Sequence, residues 1–280
     1  MKTVLGIIGS PRRLGNSEIM VKEISRQVPE EHRLCLLRLS EFTIRPCRGC
    51  YACLFNEERC IQKDDLQPLQ EAILAADALI LAAPTYFLGI NAVLKQVVDR
   101  GLAFYTHIER LWGKPSVGVC IAGIPGKEGH GLLGVENFLR MLLTDNKANK
   151  LAYGALPGEV FLNETNLSTA AELGKALFSP APESTGQRCP RCGGDTFRFL
   201  GGSRVRCMLC SNEGQIRPGS GGPSFSIGKS EHDMFLTLED AVGHRAWLRG
   251  MKDRFLENKA ALKQITTGYR KQGEWINSKS

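Results

Sequence analysis

Eight of the ten cysteines in this chain fall into two groups of four. The first group, Cys47, Cys50, Cys53 and Cys60, lies within fourteen residues. Two residues between successive thiols let a short loop bring three thiolates around one face of an iron-sulfur cube, and a fourth ligand slightly downstream closes the cage. The chemistry of such a loop is one-electron transfer, with a [4Fe-4S] cluster as the first reading and a zinc site or free thiols as alternatives. Arg45, Arg48, Arg59 and Lys63 lie close by in sequence. Positive charge there offsets that of a thiolate-ligated cluster and eases its reduction; solvated loop charges are the plainer explanation of the same residues.

A second feature with chemical content is Gly9-Ser10-Pro11-Arg12-Arg13-Leu14-Gly15-Asn16-Ser17. Glycines let backbone amides approach an anion, the Ser and Asn side chains add neutral donors, and a following helix points its N-terminus at the charge. No Gly-Lys-Ser/Thr follows, and Gly-x-Gly-x-x-Gly is absent, so a phosphate monoester fits better than a pyrophosphate. Ala83-Pro84-Thr85-Tyr86-Phe87 ends in an aromatic pair suited to stacking on a flat ring. A glycine-rich stretch, Ala122 onward to Gly131, holds Gly123 and His130, the latter read as a solvent-facing loop histidine.

These loops need a scaffold that brings them to one place. Apolar runs bounded by turn residues recur at 3–8, 33–39, 78–83, 116–122 and 151–156, with helical patterns at 16–28, 66–76, 90–103, 132–143 and 167–178. Five alternations of strand and helix predict a doubly wound, five-stranded parallel sheet covered on both faces. Ligands then bind beyond the carboxyl ends of the strands, where the strand order reverses. Cys35 and Cys120 fall in the apolar runs and read as core residues. With 280 residues and 42% hydrophobic content the chain exceeds one typical domain and buries a full core. No apolar run approaches the ~20 residues that span a bilayer, and the N-terminus reads as a first strand in place of a signal peptide. A soluble, cytoplasmic protein without membrane contact is expected, and cysteines in that reducing compartment are ligands before they are disulfides.

The loop at 9–17 resembles the phosphate loop of flavodoxin-like, NAD(P)H-dependent FMN reductases, and residues 83–87 resemble their second flavin-binding segment. The Cys-x2-Cys-x2-Cys-x6-Cys run is similar to the compact motif of the iron-sulfur flavoproteins within that superfamily. The resemblance covers roughly residues 1–180. It implies that Ser10, Arg12, Asn16 and Ser17 hold the FMN phosphate, that Pro84, Thr85, Tyr86 and Phe87 line ribityl and isoalloxazine, and that Gly123 passes near the flavin. It also implies homo-oligomers with flavins near interfaces. No side chain is assigned a catalytic role, because the cofactor performs the chemistry and the protein positions it.

Pro, Ser and Gly content marks a linker at 179–186. Beyond it, at 187–217, Cys189, Cys192, Cys207 and Cys210 form two Cys-x2-Cys knuckles separated by fourteen residues, with a hairpin expected between them. This module resembles a zinc ribbon, in which the metal supplies folding energy that so short a segment cannot obtain from its core. A rubredoxin-like iron uses the same four sulfurs and would make the module a second electron relay. After a further break at 219–223, the segment 225–280 reads as helical, with Ala241, Trp247, Leu248, Met251, Phe255, Leu262 and Ile265 forming an apolar stripe. Core packing is its default reading, and contact with a neighbouring subunit the alternative.

Most of the formal charge of +7 is carried by the C-terminal part, where residues 181–280 hold 16 Lys and Arg against 10 Asp and Glu. A basic tail can touch nucleic acid, and Arg188, Arg191, Arg198, Arg204 and Arg206 give the ribbon a basic surface, but structure or partner contact is favoured. The expected activity is electron transfer from NAD(P)H or a ferredoxin-type donor, through FMN and a [4Fe-4S] cluster, to an unidentified acceptor. The alternatives are a cluster-free NAD(P)H:FMN or quinone reductase, and a redox-sensing flavoprotein that binds nucleic acid or protein.

Overall fold

The computed structural model of the protein describes residues 1–55, 59–180, 187–220 and 222–276. Most of the expected 179–186 linker, part of the cysteine loop, Gly221 of the second break and the last four residues lie outside the described residues.

Five parallel strands form the central sheet: β1 (Lys2–Ile8), β2 (His32–Arg38), β3 (Ala78–Tyr86), β5 (Pro115–Ala122) and β6 (Asp145–Tyr153), in the order β2-β1-β3-β5-β6. A two-residue strand, β4 (Gly89–Ile90), pairs antiparallel with the tip of β3. β1, β3 and β5 are central because their residues are apolar on both faces. Along β1, Leu5 and Ile7 enter one core while Val4 and Ile8 enter the other. The first core is covered by α2 (Leu66–Ala75), α3 (Ala92–Asp99) and α5 (Gly131–Met141), and α4 (Ile108–Leu111) joins it through Ile108 and Leu111. The second is covered by α1 (Asn16–Arg26) and α6 (Glu164–Ala176). The strand order reverses at β1, so the loops after β1 and β3 open into the crevice there.

The expected strand at 151–156 begins instead at Asp145 and ends at Tyr153. Asp-Asn-Lys-Ala-Asn-Lys reads as a polar turn, yet it pairs along β5 because β6 is a sheet edge whose outer side need not be apolar. The expected helix at 90–103 is shorter: α3 spans Ala92–Asp99 and a 3-10 turn follows at Gly101–Ala103.

The second module is a four-stranded antiparallel sheet, β10-β9-β8-β7, of β7 (Phe197–Gly201), β8 (Arg204–Cys207), β9 (Glu213–Arg217) and β10 (Ser224–Ile227). It has a small core of its own around Val205, Leu209 and Ile227, flanked by stacked Phe197 and Phe225 rings 3.9 Å apart. Arg140 of α5 donates to the Cys192 carbonyl at 3.1 Å and ties the module to the main sheet. The C-terminal segment is one helix, α7 (Leu238–Gly268), opened by a capping box of Thr237 and Asp240. Ala241 and Leu248 are its buried residues, Arg245 pairs with Glu109 at 2.9 Å, and Arg249 donates to the Leu54 carbonyl at 3.2 Å. From Lys252 onward α7 is exposed, so Phe255, Leu262 and Ile265 of the apolar stripe have no cover within the described chain. No helix among the described residues is long and apolar enough to cross a membrane.

Candidate functional site

β1 ends at Ile8, and the next seven residues turn over the carboxyl edge of the sheet before α1 begins. The N-cap of α1 is Gly15, so no side chain caps its first turn, and the orphan amides there form an anion site by default. The loop is held from beneath by two buried charges. Arg38, at the end of β2, donates to the carbonyls of Ser10 and Arg12 at 3.2 and 2.9 Å and to the Glu18 carboxylate at 2.6 Å. Glu18 also accepts the Leu14 amide at 2.7 Å and Lys22 at 2.6 Å. Burial raises the Glu18 carboxyl, but the hydrogen bonds from Lys22, Arg38 and the Leu14 amide outweigh it and bring the pKa down to about 2. Neither Arg38 nor Glu18 follows from the sequence, because the two lie 20 residues apart and meet only through the parallel sheet.

Ser10, Arg12, Asn16, Ser17, Pro84, Thr85, Tyr86 and Gly123 line one cavity, together with Ile121, Gly154 and Ala155. All but one of the residues singled out for flavin contact thus meet at one place. Phe87 does not line the cavity: it is fully exposed at the apex of the β3–β4 hairpin. There Phe87 and Leu88 have φ of 48° and 66°, the left-handed pair of a two-residue hairpin turn, normally filled by Asn-Gly. The Asn16 side chain is committed to the backbone of the loop after β6. It donates to the Gly154 carbonyl at 2.8 Å and accepts the Gly158 amide at 2.9 Å, fixing the loop after β6 against the loop after β1. The Thr85 hydroxyl lies 3.0 Å from the buried Cys120 thiol, whose pKa burial pushes up to about 11. His130 is exposed and its ring packs on Gly89, where a Cβ would lie 2.7 Å from Nε2.

The cysteine loop leaves the same end of the sheet, after β2. Left-handed Gly49 and Tyr51 (φ 61° and 57°) curl the chain between Cys47 and Cys53. Cys47 and Cys50 are exposed, while Cys53 and Cys60 are half-buried against the main core. The Cys53 thiol is pushed up to about 11, by burial first and then by the neighbouring Cys60, Cys47 and Cys50. Beside them lies a residue the sequence gives no hint of. Arg100 follows α3, is buried with Asp64 in an ion pair of 2.6 Å, and donates to the Arg45 carbonyl at 2.7 Å and to Cys60 Sγ at 3.1 Å.

α3 connects the two regions. At its N-terminus the Asn91 amide donates to the Gly9 carbonyl at 2.5 Å, and just beyond its C-terminus Arg100 meets Cys60. Nine residue steps at ~1.5 Å place these anchor points about 14 Å apart along the helix.

The second cysteine group is compact. Its four Sγ atoms lie within 4.8 Å of one another, with Cys189–Cys210 at 3.8 Å and Cys192–Cys207 at 3.6 Å. Tetrahedral thiolates around one ion at a bond length of ~2.3 Å have edges of about 3.8 Å, so these spacings suit a single metal. Each knuckle turns on a left-handed residue just after its second cysteine, Gly193 at φ 75° and Ser211 at φ 62°. The first group does not close to this spacing among the described residues, and a cube, whose thiolates bind separate irons, does not require it to.

The sequence pattern of NADPH-dependent FMN reductases matches residues 2–149. An iron-sulfur flavoprotein of Archaeoglobus fulgidus is 32% identical over 181 residues, covering 63% of this chain and 79% of that protein. Another, of Methanocaldococcus jannaschii, is 29% identical over 186 residues, covering 62% and 94%. A solved flavone reductase superposes on 99% of this chain and 100% of its own with a TM-score of 0.76 at 18% identity, a likeness of fold.

Proposed function

The chain belongs to the NADPH-dependent FMN reductase family, and on that premise we propose that it is a flavin oxidoreductase of the iron-sulfur type, holding FMN in the cavity above α1 and a [4Fe-4S] cluster on Cys47, Cys50, Cys53 and Cys60. The cavity carries this reading, since the loop after β1 and the tip of β3 line it together above an uncapped helix. When bound, FMN supplies the exchange of an electron pair at its ring and the cluster supplies one-electron steps.

The chain's own residues have separable tasks. The first-turn amides of α1, with Ser10, Arg12 and Ser17, receive a phosphate; Arg38 and Glu18 keep those amides in register. Asn16 fixes the loop of Gly154 and Ala155 as the facing wall. Pro84, Thr85, Tyr86, Ile121 and Gly123 form the wall for ribityl and ring, and their apolar atoms exclude water from it. Phe87, exposed beside the mouth, is placed to meet the outer face of a ring or of an incoming donor. NAD(P)H, or a ferredoxin-type protein drawn to Arg45, Arg48, Arg59 and Lys63, is the donor class that fits.

The ribbon of Cys189, Cys192, Cys207 and Cys210 holds zinc as a structural clip, an assignment supported by its compact spacing and small core. Working units are then the sheet domain 1–180, a ribbon that runs past the expected 187–217 to take in β10, and α7 in place of a wholly helical 225–280; the uncovered α7 stripe supports a homo-oligomer, which light scattering would register as a mass above 30.8 kDa. Anaerobic purification followed by an absorption spectrum, FMN titration of stripped protein, and iron, zinc and acid-labile sulfide analysis tests the whole assignment. Flavin uptake with sulfide and one zinc per chain is expected. A colourless protein that takes up no FMN would overturn it.

A further inference from the structure

Arg100 is the one guanidinium that touches a thiol of the first cysteine group among the described residues, and its environment leaves it no freedom to do otherwise. Its side chain is 1% exposed, as is that of Asp64. One nitrogen donates to Asp64 at 2.6 Å and to the Arg45 carbonyl at 2.7 Å, two residues before Cys47, while the other donates to Cys60 Sγ at 3.1 Å. Asp64 in turn accepts the Arg45 amide at 3.0 Å and the Leu66 amide at 3.2 Å. The two ends of the cysteine loop are therefore closed onto one planar donor.

We propose that Arg100 is a positioning residue for the cluster: it sets the place of Cys60 relative to the loop segment that carries Cys47, and its hydrogen bond to Cys60 Sγ raises the reduction potential of whatever iron centre that thiolate ligates. The inference rests on the cluster assigned above and adds to it a determinant of potential. The physics is that a donor at a ligand sulfur draws off part of the negative charge that increases on reduction, so the reduced state gains more than the oxidised one. Inside the protein this contact is screened far less than the exposed Arg48 and Arg59 charges. A lysine could keep the ion pair with Asp64, but it lacks the planar fork that serves carboxylate, carbonyl and thiolate together.

Arg100→Lys is therefore the informative variant, for it preserves charge at a buried pair and so spares the fold. Arg110→Gln serves as the control, since Arg110 is exposed and lines the same cavity as Cys60, so the variant removes a nearby charge that makes no hydrogen bond to a thiol. Each protein, purified anaerobically as the full chain, is assayed for FMN, iron and acid-labile sulfide, then titrated with dithionite under spectroscopic control. The expected result is a midpoint potential more negative in Arg100→Lys than in wild type and little changed in Arg110→Gln, with FMN content the same in all three. Loss of sulfide from Arg100→Lys with FMN retained also supports the positioning role. Equal potentials and equal sulfide in wild type and Arg100→Lys overturn the inference while leaving the cluster in place. Wild-type protein with flavin but no sulfide overturns instead the cluster on which the inference stands.

Discussion

Glu136 makes the stability of this protein depend on pH in an unusual direction. It sits on α5 and is 8% exposed, against Asn149 of β6 and beneath the ribbon, with Asp195 as a like-charged neighbour and Arg188 and Arg140 as counter-charges. Burial first, and Asp195 second, push its carboxyl from an ordinary 4.5 up to about 7, against the pull of both arginines and Asn149. Between those values the folded chain keeps a proton that the unfolded chain has released, so stability falls as pH rises through that window and levels off above it. At ~1.4 kcal/mol per pH step, the whole window is worth about 3 kcal/mol. Glu136→Gln carries no charge at any pH and keeps the side-chain shape. Urea unfolding of the zinc-loaded protein at about pH 5 and about pH 8 would show wild type and variant close together at the lower value and the variant ahead by up to ~3 kcal/mol at the higher. A gap independent of pH would show that the carboxyl is ionised in the fold, and the reasoning would fail.

Other outcomes follow from the contacts described. Glu18→Gln removes the acceptor that fixes the Leu14 amide and Arg38, so FMN affinity measured by fluorescence quenching should fall about tenfold, the effect of ~1.4 kcal/mol. Because the Glu18 pKa is lowered from 4.5 to about 2, its support for the wild-type fold should be present above about pH 4.5 and fade in acid melts as the pH falls from there toward about 2. Leu88→Gly relieves a left-handed backbone and should stabilise the protein by about 1 kcal/mol in a thermal melt, with FMN affinity unchanged because Leu88 does not line the cavity. Cys207→Ser opens the compact metal tetrahedron, so zinc analysis should fall to zero per chain and proteolysis should cut within 187–217 while 1–180 retains flavin; uncut protein lacking zinc would count against the structural clip.

The parts of the fold legible in the sequence are those decided locally. β1, β3 and β5 are buried on both faces and read as continuous apolar runs; the eight cysteines announce themselves by spacing. The first half of β6 was hidden because an edge strand tolerates Asp145, Asn146 and Lys147. The residues that give the site its shape were hidden for a different reason. Arg38 acts on Ser10, Asn91 on Gly9 and Arg100 on Cys60 across 28, 82 and 40 residues, and no local pattern marks a polar residue that serves a partner so distant. Asn16 shows the converse: its loop was legible, yet its amide is committed to Gly154 and Gly158, contacts created by the parallel crossover.

Beyond Arg249, α7 runs exposed from Lys252 to Gly268, a rod of about 25 Å rooted beside the thiols. Its base is pinned by Arg249 to the carbonyl of Leu54, the residue after Cys53, and by Lys252 over the Phe55 ring at 5.7 Å. The rod is thus rooted at the peptide beside the Cys53 thiol, and none of its residues lines the cavity that Ser10 and Pro84 form at the sheet's carboxyl edge.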